Sequence, residues 1–65
     1  MVETIGINAG KVWSVLDETD RQNVKDLKDT TKLTYNNLYA AIGWLAREGK
    51  IVLETENKEV FISLV

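Results

Sequence analysis

Thr34-Tyr35-Asn36-Asn37-Leu38-Tyr39-Ala40-Ala41-Ile42-Gly43-Trp44-Leu45-Ala46-Arg47-Glu48-Gly49 is the stretch whose reading decides the fold. Leu38, Ala41, Ile42 and Leu45 recur at helical spacing and form one apolar stripe. Thr34 is a natural N-cap, because its hydroxyl accepts from a backbone N–H that the first helical turn leaves unpaired. Gly49 supplies the residue that commonly ends a helix in the left-handed conformation. A helix is therefore expected from Tyr35 to about Glu48. Beyond Gly49 the apolar period changes from helical to strand-like. Ile51 and Leu53 alternate with Val52 and Glu54, and Val60, Ile62 and Leu64 alternate with Glu59, Phe61, Ser63 and Val65. Thr55-Glu56-Asn57-Lys58 between them is polar and of hairpin length, and Asn57 tolerates positive φ. A two-stranded antiparallel hairpin is expected to lean on the helices, since a hairpin alone is marginal in water. Its Val60, Ile62 and Leu64 face is the expected partner of the helix stripe.

Upstream, Ile5, Ala9, Val12 and Leu16 lie on one helical stripe that Val15 widens, so the spacing predicts a helix over Thr4 to Leu16. Thr4 or Asn8 is the expected cap, and Gly6 and Gly10 weaken the start. Gly10 marks either a close approach to a neighbouring helix or a tolerated weak position. Asp17 to Asp20 reads as a polar loop. Asn23, with Asp26 three residues on, starts a short helix over about Val24 to Thr30, with Val24, Leu27 and Thr31 on one side. Thr31-Lys32-Leu33 then makes a tight connection to Thr34. Residues near Arg21 to Asn23 allow a very short third strand, although no periodicity marks it.

The 65 residues make a single domain, 1–65, whose core supplies only a few kcal/mol, about 3–5. The chain has no Cys and no His, which excludes disulfides, Cys- or His-based zinc sites and Ser-His catalysis. No apolar run approaches the ~20 residues that span a bilayer, no signal peptide is apparent, and a cytoplasmic location is expected. The formal net charge is −2, unlike that of a strong stand-alone nucleic-acid binder.

The order helix, short helix, tight turn, longer helix, hairpin, with Leu27, Leu33 and Leu38 followed by Gly43-Trp44-Leu45-Ala46-Arg47-Glu48-Gly49-Lys50, resembles a winged helix-turn-helix domain. More narrowly, it is similar to a family of small stand-alone bacterial and archaeal winged-helix proteins with no assigned function, and Ala9-Gly10-Lys11-Val12-Trp13 fits that resemblance. The fold expected is α+β: three helices, then a two-stranded antiparallel wing. The turn departs from the pattern, with Lys32 where such turns often carry Gly.

The resemblance implies that the third helix enters the DNA major groove and that the wing touches the backbone. Projected at near 100° per residue, the face opposite Leu38 and Leu45 holds Asn36, Ala40, Gly43 and Arg47, flanked by Asn37, Trp44 and Tyr39. Asn can read adenine bidentately, Tyr can reach a phosphate, and small residues permit close approach. With Thr34 and Tyr35 at the helix start, Lys32 in the turn and Lys58 in the wing, these are the candidate nucleic-acid contacts. Charge weighs against DNA: the wing tip carries Glu54, Glu56 and Glu59 against Lys58, and Lys11, Arg21, Lys25 and Lys28 are interleaved with Asp17, Asp20, Asp26 and Asp29.

The alternative is a protein-interaction or homodimerisation module. Ile7, Trp13, Trp44, Val52, Phe61 and Val65 fall off the core stripes and are candidate interface residues, although Trp13 and Trp44 also fit the edge of the core. Catalysis is not expected. The paired carboxylates lie on polar segments, no phosphate-cradling Gly pattern occurs, and a domain of this size leaves little room for a pocket. No cofactor, metal, membrane partner or small-molecule ligand is expected.

Overall fold

The protein's structure, a computed structural model, describes residues 2–65, and the side chains from residue 3 onward. The order is α1 (Val2–Thr19), β1 (Gln22–Asn23), α2 (Val24–Thr31), α3 (Tyr35–Arg47), β2 (Ile51–Glu56) and β3 (Glu59–Leu64). In α3 the expected signals act as read. The Asn37 N–H donates to Thr34 Oγ1 at 3.2 Å. At the other end Gly49 N–H donates to the Ala46 carbonyl and Lys50 N–H to the Leu45 carbonyl, both at 3.0 Å, with Gly49 at φ +69°. That pair of bonds is the Schellman arrangement, which satisfies carbonyls the helix end would otherwise orphan.

The first helix is longer than its apolar stripe implied. Asp17 to Thr19 are helical rather than loop, and Thr4 and Asn8 are inside the helix rather than caps. Burial of Val12 and Leu16 carries the helix onward, and the Thr19 hydroxyl donates to the Val15 carbonyl at 2.7 Å. Asp20, at φ +69°, ends it by donating its N–H to the Leu16 carbonyl at 2.9 Å. Asn8 is buried beside Ala9 on the core side. No atom lies within 4 Å of a Cβ built on Gly10, so no neighbouring helix claims that space.

The second helix is capped as expected, with the Asp26 N–H donating to Asn23 Oδ1 at 2.7 Å. It runs one residue past the expected end, to Thr31, and stops at Lys32. Lys32 is itself left-handed (φ +62°) and donates its N–H to the Lys28 carbonyl at 2.9 Å. The lysine therefore takes the conformation for which such turns usually recruit glycine.

The sheet has three strands in the order β1-β3-β2, all antiparallel. The third strand is real: Gln22 pairs with Ile62 and Asn23 with Phe61. The wing register pairs Ile51 with Leu64, Leu53 with Ile62 and Glu56 with Glu59. Asn57 and Lys58 between Glu56 and Glu59 both have positive φ (+52° and +66°), as a two-residue type I′ turn requires. One core cluster joins Ala9, Val12, Leu16, Val24, Leu27, Leu38, Ala41, Ile42, Leu45, Ile51 and Ile62. As expected, the Val60, Ile62 and Leu64 face of β3 packs on the cluster that holds the α3 stripe, with Ile62 fully buried. The β3 backbone runs beside α1 and α2, while the α3 backbone approaches the sheet chiefly at β2. Leu53 projects beyond the helical layer and is 49% exposed.

Candidate nucleic-acid interface

Burial of Leu38, Ala41, Ile42 and Leu45 fixes the rotation of α3 and turns its other side outward. Asn36, Ala40, Gly43 and Arg47 are all exposed there, as are Asn37, Tyr35 and Tyr39. The Tyr35 and Tyr39 rings stack with centroids 6.2 Å apart and planes at 23°. The Lys28 ammonium sits 5.0 Å from the Tyr35 ring centroid. This cation–π contact ties α2 to the start of α3 and adds a cation to the face. Lys28 was not foreseen, because the contact depends on the angle between two helices, which the Lys32 turn sets. Nothing lies within 4 Å of a Cβ built on Gly43, so this flank is open to a close approach. Thr34 caps the helix and is exposed beside Lys32. Lys58 is exposed on the wing turn, separate in the chain from the α3 residues.

Charge is distributed less evenly than the net value implies. Between Asp29 and Glu48 the chain has no carboxylate and carries Lys32 and Arg47. The turn and α3 therefore form an acid-free segment within an acidic chain.

The wing's negative charge is partly consumed internally. Arg21 donates from Nη2 to Glu56 Oε2 at 2.8 Å and approaches Glu54 Oε1 with Nε at 3.8 Å. Its guanidinium carbon also lies 4.1 Å from the Phe61 ring centroid. Arg21 thus reaches from the β1 end of the sheet across β3 to β2, roofing Phe61 on the way. Phe61 was expected on an open outer face. It is on that face but half-buried beneath the guanidinium.

The remaining interface candidates divide. Ile7 (63% exposed), Val65 (83%), Val52 and Trp13 are open. Trp44 is half-buried and packs against the core, so it belongs to the core edge. Trp13 and Trp44 nevertheless line one open cleft of about 350 Å³ with Gly6, Gly10, Glu48 and Lys50. That is more concavity than a chain of this length was expected to carry. Among the described residues no group of three or more acidic side chains is placed to hold a metal ion, and no helix is long and apolar enough to cross a membrane.

A three-helix unit with a tight α2–α3 turn, followed by a β-ribbon whose second strand β3 is flanked by β1, defines a winged helix-turn-helix domain. The family model of the winged helix-turn-helix domain DUF2582 matches residues 1–64, and the chain belongs to that family. The chain is 37% identical over 62 residues to the uncharacterized protein MJ1608 of Methanocaldococcus jannaschii, covering 92% of this chain and 89% of that protein. Its structure resembles the solution NMR structure of protein BT2368 from Bacteroides thetaiotaomicron, with a TM-score of 0.87 and 39% identity, over 95% of this chain and 76% of that one. The narrow resemblance read from Gly43 to Lys50 thus identified the family.

Proposed function

We propose that this domain is a non-catalytic nucleic-acid-binding module of transcription-regulatory type that places α3 in the DNA major groove. The observation that carries this reading is the outward face of α3. Asn36 and Asn37 supply base-reading amides, Ala40 and Gly43 leave room for the groove wall, and Arg47 and Lys32 flank an acid-free segment. Tyr35, Tyr39 and Thr34 add hydroxyls for phosphate oxygens, and Lys58 adds an ammonium from the wing. The pairing of Arg21 with Glu54 and Glu56 supports the reading, because it lowers the repulsion a wing would otherwise offer to a phosphate backbone.

The test is a titration of duplex DNA at several salt concentrations. With Lys32, Arg47 and Lys58 as phosphate contacts, log K is expected to fall with log[salt] at a slope of about −3. Asn36→Ala, Asn37→Ala and Arg47→Ala are each expected to weaken binding, the first two mainly for a preferred sequence. If micromolar protein shifts no genomic fragment at low salt, where phosphate attraction is least screened, the reading fails.

A further inference from the structure

From the geometry of the wing we infer that strand β2 is a homodimerisation edge, across which two copies of this chain join their sheets antiparallel about a two-fold axis at Leu53. β2 ends the sheet, since the order is β1-β3-β2. Its backbone polarity follows from two observations. The Val65 N–H donates to the Lys50 carbonyl at 3.0 Å, and the two-residue turn closes on the Glu56–Glu59 pair. Hydrogen-bonded residues alternate along an antiparallel ladder, so Lys50, Val52, Glu54 and Glu56 direct their peptide groups at β3. Ile51, Leu53 and Thr55 therefore direct theirs away from the sheet.

Only some alignments of two such edges let outward peptide groups meet. Pairing Leu53 with the partner's Leu53 sets Ile51 opposite the partner's Thr55, so every outward residue of both strands finds a hydrogen-bonded counterpart. The same alignment sets Lys50 opposite the partner's Glu56, twice by symmetry, and Val52 opposite the partner's Glu54. A shift in one direction sets Glu54 against Glu54, and a shift in the other leaves Thr55 without a strand partner. Charge complementarity therefore selects a second copy in this register. Opposed unlike charges stabilise an antiparallel pair and opposed like charges destabilise it.

The side chains agree with the backbone. Lys50 makes no ion pair among the described residues, whereas Glu56 engages Arg21 through Oε2 from the β3 side. A lysine arriving from the free edge meets the carboxylate from the other side. Val52 and Leu53, 43% and 49% exposed, stand on opposite faces of β2, so pairing covers apolar surface on both faces. Natural edge strands are usually blunted by charged side chains, proline or a bulge; Ile51–Glu56 has no proline or bulge, and its charges are Glu54 and Glu56, both within reach of Arg21. Two-fold dimers with self-complementary patches are the commonest closed assemblies.

The experiment uses the protein without nucleic acid, so its outcome is independent of the proposed function. Sedimentation equilibrium is run up to about 1 mM, where mass action favours even a weak dimer. Amide hydrogen exchange is followed in parallel at low and high concentration. A dimer mass is expected, with exchange of the Leu53 amide slowed about tenfold or more at the high concentration, because that N–H is solvated in the single chain. Leu53→Lys sets two like charges at the axis and is expected to abolish the dimer while leaving the circular dichroism spectrum unchanged. Lys50→Glu is expected to raise the dissociation constant about tenfold through loss of two cross-strand pairs. A chain monomeric at about 1 mM overturns the inference. So does a dimer that survives Leu53→Lys, or one in which the Leu53 amide exchanges as in the single chain.

Discussion

Lys32 and Lys58 adopt left-handed backbone conformations at φ +62° and +66°, at the α2–α3 turn and at the wing tip. A side chain in this region costs about 1 kcal/mol through the crowding of Cβ against the following carbonyl. Glycine avoids that cost but loses more entropy on folding, so Lys58→Gly is expected to stabilise the domain by about 0.5 kcal/mol, read as a rise in the thermal midpoint. The converse holds at Gly49 (φ +69°), where Gly49→Ala is expected to destabilise by about 1 kcal/mol in urea titrations. Arg21 acts through both charge and contact. Arg21→Ala removes a partly exposed cation–π contact and the cover over Phe61, and is expected to cost about 1 kcal/mol, partly recovered by raising salt, which screens Glu54 from Glu56.

At the scale of the element, α3 carries an internal conflict between stability and function. Gly43 lowers its helix propensity, yet a Cβ there meets nothing within 4 Å. Gly43→Ala is expected to stabilise the fold by about 1 kcal/mol in denaturant titrations, since alanine is the best helix former and glycine among the poorest. The same methyl stands on the proposed DNA face, so weaker DNA binding is expected from the more stable protein. Loss of the Thr34 cap by Thr34→Ala is expected to cost about 1 kcal/mol. The elements differ in how well they could be read from residues alone. The third helix was legible because stripe, cap and stop agree over one short stretch. The ends of α1 were not, because Gly6, Gly10 and the acidic run Asp17–Asp20 carry poor helix signals, and only the burial of Val12 and Leu16 against other elements overrides them. A strand of two residues has no period to detect, and the capping role of Asn23 was its one visible mark.

Over the whole molecule, eleven residues form a single buried cluster contributed by all three helices and both wing strands. With so small a core, removing either Leu27 or Leu38, both 0% exposed, is expected to cost about 2–5 kcal/mol and so to unfold most of the population at 37 °C. A loss of the cooperative calorimetric transition checks this. The outward set on α3 was legible because a helix with a known buried stripe has only one opposite side. The status of Phe61 was not, because its cover comes from Arg21, forty residues earlier in the chain, and exists only once three strands are in register.

Asn23 pairs with Phe61 in the sheet and, with its side chain, holds the Asp26 amide at the start of α2. One residue is thus a hinge pin common to the ribbon and the helix-turn-helix. Neither can swing free of the other without withdrawing it, so the two parts open as one foldon rather than as separate leaves. A force felt at the wing is therefore passed through Asn23 to the start of α2.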